Sequence, residues 1–117
     1  MKSQLENWTL ENFQVSEEEG KLRFHDLDLP DQVMQGIQAQ GYQYCSPIQA
    51  LTLPESLQGM DITGKAQTGS GKTAAFLISI MTDFLDFPIE GPRRMGTPRA
   101  LIVAPTRELV MQIASDA

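Results

Sequence analysis

The run Ala66-Gln67-Thr68-Gly69-Ser70-Gly71-Lys72-Thr73 joins small side chains and two glycines to a Gly-Lys-Thr ending, the residue types that a triphosphate cradle requires. Several backbone N–H groups must turn inward at once in such a loop, so Gly69 and Gly71 need access to positive φ. Lys72 then supplies a point charge to the outer phosphates, and the Thr73 hydroxyl can join the coordination shell of Mg²⁺. The strict pattern opens on glycine where this chain has Ala66, a departure small enough to leave the loop intact. A nucleotide is the expected ligand, and an unliganded strand-to-helix turn is the alternative.

Such a loop works only between a strand and a helix. Met60-Asp61-Ile62-Thr63-Gly64 reads as a short buried strand before it, and Lys72 to Asp86 as the helix after it, whose N-terminus adds partial positive charge to the phosphate site. That helix carries Ala74, Phe76, Leu77, Ile78, Ile80, Met81, Phe84 and Leu85 around most of its circumference, which predicts that it is sandwiched against a sheet. Earlier in the chain, Pro30 suits a first helical turn, Val33, Met34 and Ile37 form an apolar face, and Gly41 supplies the stop. Ser46 before Pro47 repeats the start signal, and Pro54 is expected to break or restart that second helix. A loop rich in Pro, Gly and Arg follows Phe87, Arg99 to Ala104 reads as a second buried strand, and Arg107 to Asp116 as an amphipathic helix. Strands alternating with helices predict a parallel α/β sheet.

The bulk properties fit one small domain of 117 residues. The net charge of −6 is concentrated at one end: residues 1–31 hold eight acids against Lys2, Lys21 and Arg23, leaving −1 for the remainder, so the total does not argue against a nucleic-acid partner. Residues 1–22 show no sustained period and read as an acidic, mobile leader, with a short docking helix for a protein partner as the alternative. The chain start lacks a signal-peptide apolar segment and no run is long enough to span a bilayer, so a cytoplasmic protein without a membrane is expected. Cys45, the single cysteine, is expected to be a small, partly buried side chain, and His25 a surface residue without a partner.

Three blocks together resemble the DEAD-box RNA helicases. Gly41-Tyr42-Gln43-Tyr44-Cys45-Ser46-Pro47-Ile48-Gln49 is similar to the family's Q motif, with an upstream aromatic at Phe24; the phosphate loop follows; Pro105-Thr106-Arg107-Glu108-Leu109 is similar to the block of the first domain that touches the RNA backbone. Cys45 and the run Pro98-Arg99-Ala100-Leu101-Ile102 point to a bacterial branch of the family. The resemblance implies a P-loop, RecA-like three-layer α/β/α domain with a parallel sheet. Residues 23–117 would be the N-terminal part of the first such domain. It implies ATP, Mg²⁺ and RNA as ligands, with Lys72 and Thr73 in the catalytic machinery and Thr73 on the metal. Phe24 would stack on the base, and Ser46 would connect its segment to the phosphate loop or cap the helix. Ala66, Gln67, Thr68, Gly69, Ser70 and Gly71 would line the nucleotide, and Pro105, Thr106 and Arg107 the RNA groove. Independently of the family, the carboxamide of Gln49 matches the acceptor and donor edge of adenine as a bidentate pair. Arg107 opens a helix, where guanidinium and helix N-terminus can both meet phosphate, unless Glu108 or another acid pairs with it. Arg93, Arg94 and Arg99 read as a solvated basic cluster.

The sequence ends at Ala117 without an Asp-Glu-Ala-Asp segment or the arginines of a second domain. Because phosphoryl transfer depends on such positioning groups, this length alone is expected to be inactive in hydrolysis. The expectation is therefore an ATP-dependent RNA helicase represented by its ATP-recognition half. The alternatives are a truncated nucleotide-binding module without turnover and a small-molecule kinase or GTPase, the last of which the Gln49 block weakens.

Overall fold

The computed structural model describes residues 8–67, 71–89, 91–92 and 96–117. Among the described residues four α-helices carry the fold: α1 (Asp31–Ala39), α2 (Pro47–Ser56), α3 (Lys72–Asp86) and α4 (Arg107–Asp116). Short 3₁₀ turns at Leu10–Asn12 and Phe24–Leu27 precede them.

Each helix begins and ends where local chemistry directs it. Pro30 stands just outside α1 rather than within its first turn, and Gly41 ends the segment at φ +81°, a left-handed conformation open to glycine. Ser46 precedes α2 and Pro47 occupies its first position, where the missing N–H would have had no helical partner. Pro54 does not break α2, contrary to the sequence expectation, because it falls in the closing turns and the helix runs on to Ser56. Thr106 caps α4 by accepting the Leu109 N–H at 3.2 Å.

The core joins α1, α2 and α3 to the chain before them. Phe13, Val15, Phe24, Leu29, Val33, Met34, Ile37, Leu53 and Ile78 form one buried cluster, with Trp8, Tyr44, Cys45 and Met81 packed against it. The acidic leader is thus not a detached mobile tail over its described part: Phe13 and Val15 are core residues. Their alternate spacing was too short a pattern to read as a packing face. An isolated antiparallel bridge between Arg23 and Tyr44, with Cys45 N–H donating to Leu22 O at 2.7 Å, ties residues 22–23 to the segment leading into α2.

The two expected strands are the main departure. Among the described residues no strand ladder forms, and the segments 60–64 and 99–104 run without regular pairing. Nor are they buried: Leu101 and Val103 are each 83% exposed, and Met60 56%. A strand is stabilised by neighbours on either side and by packing across its faces. Apolar, β-branched residues without those neighbours remain extended and solvent-facing.

Candidate nucleotide-binding site

The site is assembled where α2 meets the N-terminus of α3. Gly71 immediately precedes α3 in the left-handed region (φ +92°, ψ +16°), the conformation expected from its place in the loop. Its carbonyl accepts two bonds, one from the Ala75 N–H at 3.0 Å that opens the helix and one from Gln49 Nε2 at 3.1 Å. Gln49 is 3% exposed, and its Oε1 accepts the Ser46 N–H at 2.9 Å. One carboxamide therefore fastens the start of α2 to the start of α3. The approach is close enough that a Cβ on Gly71 would lie 2.3 Å from Gln49 Nε2 and 3.1 Å from Ser46 Oγ.

This arrangement brings Ser46, Gln49, Gly71, Lys72 and Thr73 together. Lys72 is exposed at the first position of α3, and Thr73 half-buried beside it. Ser46 Oγ is buried without a hydrogen-bond partner, so the link from the Ser46 segment to the loop runs through the Gln49 side chain instead of the serine hydroxyl. Ala66 is half-buried and Gln67 exposed ahead of the loop. Thr68, Gly69 and Ser70 lie outside the described residues. A positive-φ glycine at a long helix's N-terminus, an exposed lysine and an unpartnered hydroxyl suit an anionic ligand with a metal. Among the described residues no cluster of His, Cys, Asp and Glu could itself hold a metal ion.

Gln49 and Phe24 are placed differently from a simple base-reading pair. The Gln49 carboxamide is engaged inside the protein on both its donor and its acceptor side. Phe24 has no exposed surface at all, and Tyr42 is stacked near it at 6.3 Å between ring centroids. The sequence singles out both residues as candidates and does not show what surrounds them. The signal lay in Phe13 and Val15, two apolar residues in an otherwise polar leader.

The residues flanking Phe24 are held firmly. His25 is no free surface group: it is half-buried and its Nε2 lies 2.6 Å from Phe13 O, so that nitrogen carries the proton. Arg23 donates to Val15 O at 2.9 Å and pairs with Asp26 at 2.7 Å and Glu17 at 3.2 Å. The hydrogen bonds from Arg23 hold the Asp26 carboxyl below its usual range and outweigh burial, which opposes ionisation. A depressed carboxyl pKa contributes stability above the unfolded value and loses it as pH falls through the folded value, so this pair is intact at neutral pH. Burial pushes the Cys45 thiol up to about 11, the behaviour of a packing residue and not of a nucleophile.

The second candidate surface is the start of α4. Pro105, Thr106 and Arg107 are all exposed there, and among the described residues no carboxylate pairs with Arg107. Arg99, by contrast, is half-buried and engaged: it donates to Phe87 O at 2.7 Å just beyond α3 and lies 4.3 Å from the centroid of the Phe84 ring. It satisfies a helix-end carbonyl and covers an aromatic face. Arg93 and Arg94 fall outside the described residues.

Comparison with known proteins adds an independent line. The model of the DEAD/DEAH box helicase family matches residues 46–117. An ATP-dependent RNA helicase RhlB of Pseudomonas aeruginosa (strain UCBPP-PA14) is 58% identical over 103 residues, covering 88% of this chain and 26% of the relative. The RhlB of Pseudomonas putida is 56% identical over 103 residues with the same coverage, and that of Vibrio atlanticus 53% over 95 residues, covering 81% of this chain and 22% of the relative. The chain thus spans about a quarter of the length of these relatives. They are the bacterial branch to which Cys45 and the run Pro98 to Ile102 pointed.

Proposed function

The chain belongs to the DEAD/DEAH box helicase family, and from that premise we propose that it is the ATP-recognition part of an ATP-dependent RNA helicase acting in the cytoplasm. Family membership carries a RecA-like fold. In the proposed whole domain, the segments 60–64 and 99–104 are strands of its parallel sheet, which accounts for the apolar side chains they turn to solvent here.

The observation that carries the reading is the Gln49 bridge to Gly71, since it couples the block that would recognise a base to the loop that would hold phosphates. When bound, ATP with Mg²⁺ supplies a transferable phosphoryl group. The protein's residues hold and orient it. Lys72 engages the outer phosphates from the first turn of α3, and the helix N-terminus reinforces that charge. Thr73 would offer its hydroxyl to the metal, and Ser46 Oγ, buried without a hydrogen-bond partner, is available to the loop. Gln49 reads the adenine edge by releasing its two internal bonds, and Phe24 stacks on the base. Arg107 and the α4 N-terminus take a phosphate of the RNA strand, with Pro105 and Thr106 shaping the turn.

Titration of ATP and GTP, each with Mg²⁺, against the chain and its Gln49→Ala variant tests this reading. Loss of the carboxamide is expected to cost roughly 1–3 kcal/mol with ATP and much less with GTP, so selectivity collapses. An unchanged ATP-to-GTP ratio would move base recognition to other residues. For RNA, Arg107→Ala is expected to weaken binding about uniformly across sequences and lower the salt slope by about one counterion, because a phosphate contact carries no base information. The measurement is RNA affinity over a salt series in the protein carrying the whole helicase domain pair, and an unaltered slope would leave Arg107 a solvated side chain.

A further inference from the structure

We propose that residues 8–22 are a displaceable strap that covers the base-stacking face of Phe24, so that strap docking and nucleotide binding exclude one another. The inference rests on the reading above in which Phe24 stacks on adenine, and it concerns regulation of that same site.

The strap lies alongside the chain that presents Phe24. Its carbonyls at Phe13 and Val15 accept from His25 and Arg23, the two residues flanking Phe24 in sequence, at 2.6 and 2.9 Å. The intervening aromatic is thereby bracketed, and the Phe13 and Val15 side chains join the same buried cluster as Phe24. The Phe13 and His25 rings meet at 4.7 Å between centroids. Farther out, one α1 side chain grips the strap twice: Gln38 Oε1 accepts from Trp8 Nε1 at 2.8 Å, and Gln38 Nε2 donates to Asn12 O at 3.0 Å. Tyr44 donates its hydroxyl to Ser16 O at 2.6 Å, and Lys21, paired with Glu18 at 2.7 Å, sits 4.9 Å from the Tyr44 ring. With these contacts made, Phe24 is 0% exposed.

The same contacts explain why the strap can leave. Between Phe13 and Gly20 it forms no helix or strand, and Gln14 and residues 16–20 are exposed. Phe13 and Val15 are its buried apolar anchors, with Trp8 partly buried at the edge of the same cluster; its ion pairs face solvent and contribute little. Segments with few buried contacts and no regular backbone ladder open at the low end of a protein's stability range. A ligand that needs the surface beneath binds with an affinity reduced by the fraction of molecules already open, and weakening the strap removes that penalty.

Trp8 is the sole tryptophan, so its emission, excited beyond nucleotide absorbance, reports the strap directly. Acrylamide quenching of Trp8 is measured with and without saturating ATP and Mg²⁺, while equilibrium dialysis with radiolabelled ATP records binding independently. The expected result is greater quenching with ATP bound. In Gln38→Ala, quenching should be high before ATP is added and affinity about tenfold tighter, since two strap bonds are lost outside the nucleotide site. Gln38→Glu, which keeps the Trp8 acceptor and loses the donor to Asn12 O, should lie between the two and serves if the alanine variant does not fold. ATP bound in dialysis with unchanged Trp8 quenching, or affinity unchanged in the folded Gln38 variants, overturns the strap and leaves the nucleotide site standing. No ATP binding in dialysis by wild type or by either Gln38 variant removes the nucleotide reading and the strap with it.

Discussion

Gly71→Ala is expected to lower ATP affinity by about 5- to 30-fold, because the loop must still hold residue 71 in its left-handed conformation to cradle phosphate. The backbone at φ +92° is left-handed, and a Cβ there costs roughly 1–2 kcal/mol. The added carbon would also stand 2.3 Å from Gln49 Nε2, so the carboxamide must withdraw and give up its bond to Gly71 O, a cost of roughly 1 kcal/mol that falls on stability without nucleotide, since reading adenine releases the same bond. Neither neighbour offers an easy escape: Gln49 is buried, and Ser46 Oγ lies 3.1 Å from the same position. Calorimetric titration with ATP and Mg²⁺ measures the loss, with thermal unfolding as the check on folding. In thermal unfolding without nucleotide, the double variant Gly71→Ala, Gln49→Ala set against Gln49→Ala alone separates the penalties, because deleting the carboxamide relieves the clash and leaves only the backbone strain. Wild-type ATP affinity in Gly71→Ala would mean that the loop binds phosphate in a conformation other than the one that meets Gln49.

How far the sequence could be read depended on the range of the forces involved. The start of α2 at Ser46-Pro47, the span of α3 from Lys72 to Asp86 and the span of α4 from Arg107 to Asp116 were legible because caps, proline and apolar period act within a few residues. Gly71 was legible for the same reason, since the need for positive φ belongs to the residue itself. The strands were not settled by local chemistry. Met60 to Gly64 and Arg99 to Ala104 have the right residue types, but a strand exists only when another segment pairs with it, and among the described residues none does. The leader misled in the opposite direction. Its acids announced a solvated tail, while Phe13 and Val15 found their partners across the chain in Phe24 and the α1 face. Of the candidate site, the composition of the Gln49 block singled out its carboxamide; that it closes on Gly71 is a contact 22 residues away in sequence, beyond any local pattern.

Lys72→Ala is expected to weaken ATP binding by about 10- to 150-fold, the loss of one charge-assisted hydrogen bond worth roughly 1.5–3 kcal/mol. The side chain is suited to that single role: Lys72 is exposed, begins α3 next to the conformationally special Gly71, and among the described residues no carboxylate forms an ion pair with it. Its charge is therefore not already neutralised by the protein. Exposure also means that truncation creates no cavity, so thermal stability without nucleotide should remain within about 0.5 kcal/mol of wild type. The stabilisation that ATP confers on unfolding should shrink in proportion to the lost affinity. Lys72→Arg sharpens the measurement, since it keeps the charge but replaces a compact ammonium with a planar fork that cannot enter a cradle shaped for a point charge. Partial recovery in the arginine variant would assign part of the effect to charge at long range, and none would assign it to contact with the phosphates. Equal ATP affinity in wild type and a folded Lys72→Ala would instead show that the start of α3 does not hold the phosphates, and the proposed orientation of the nucleotide between Gln49 and α3 would fall with it.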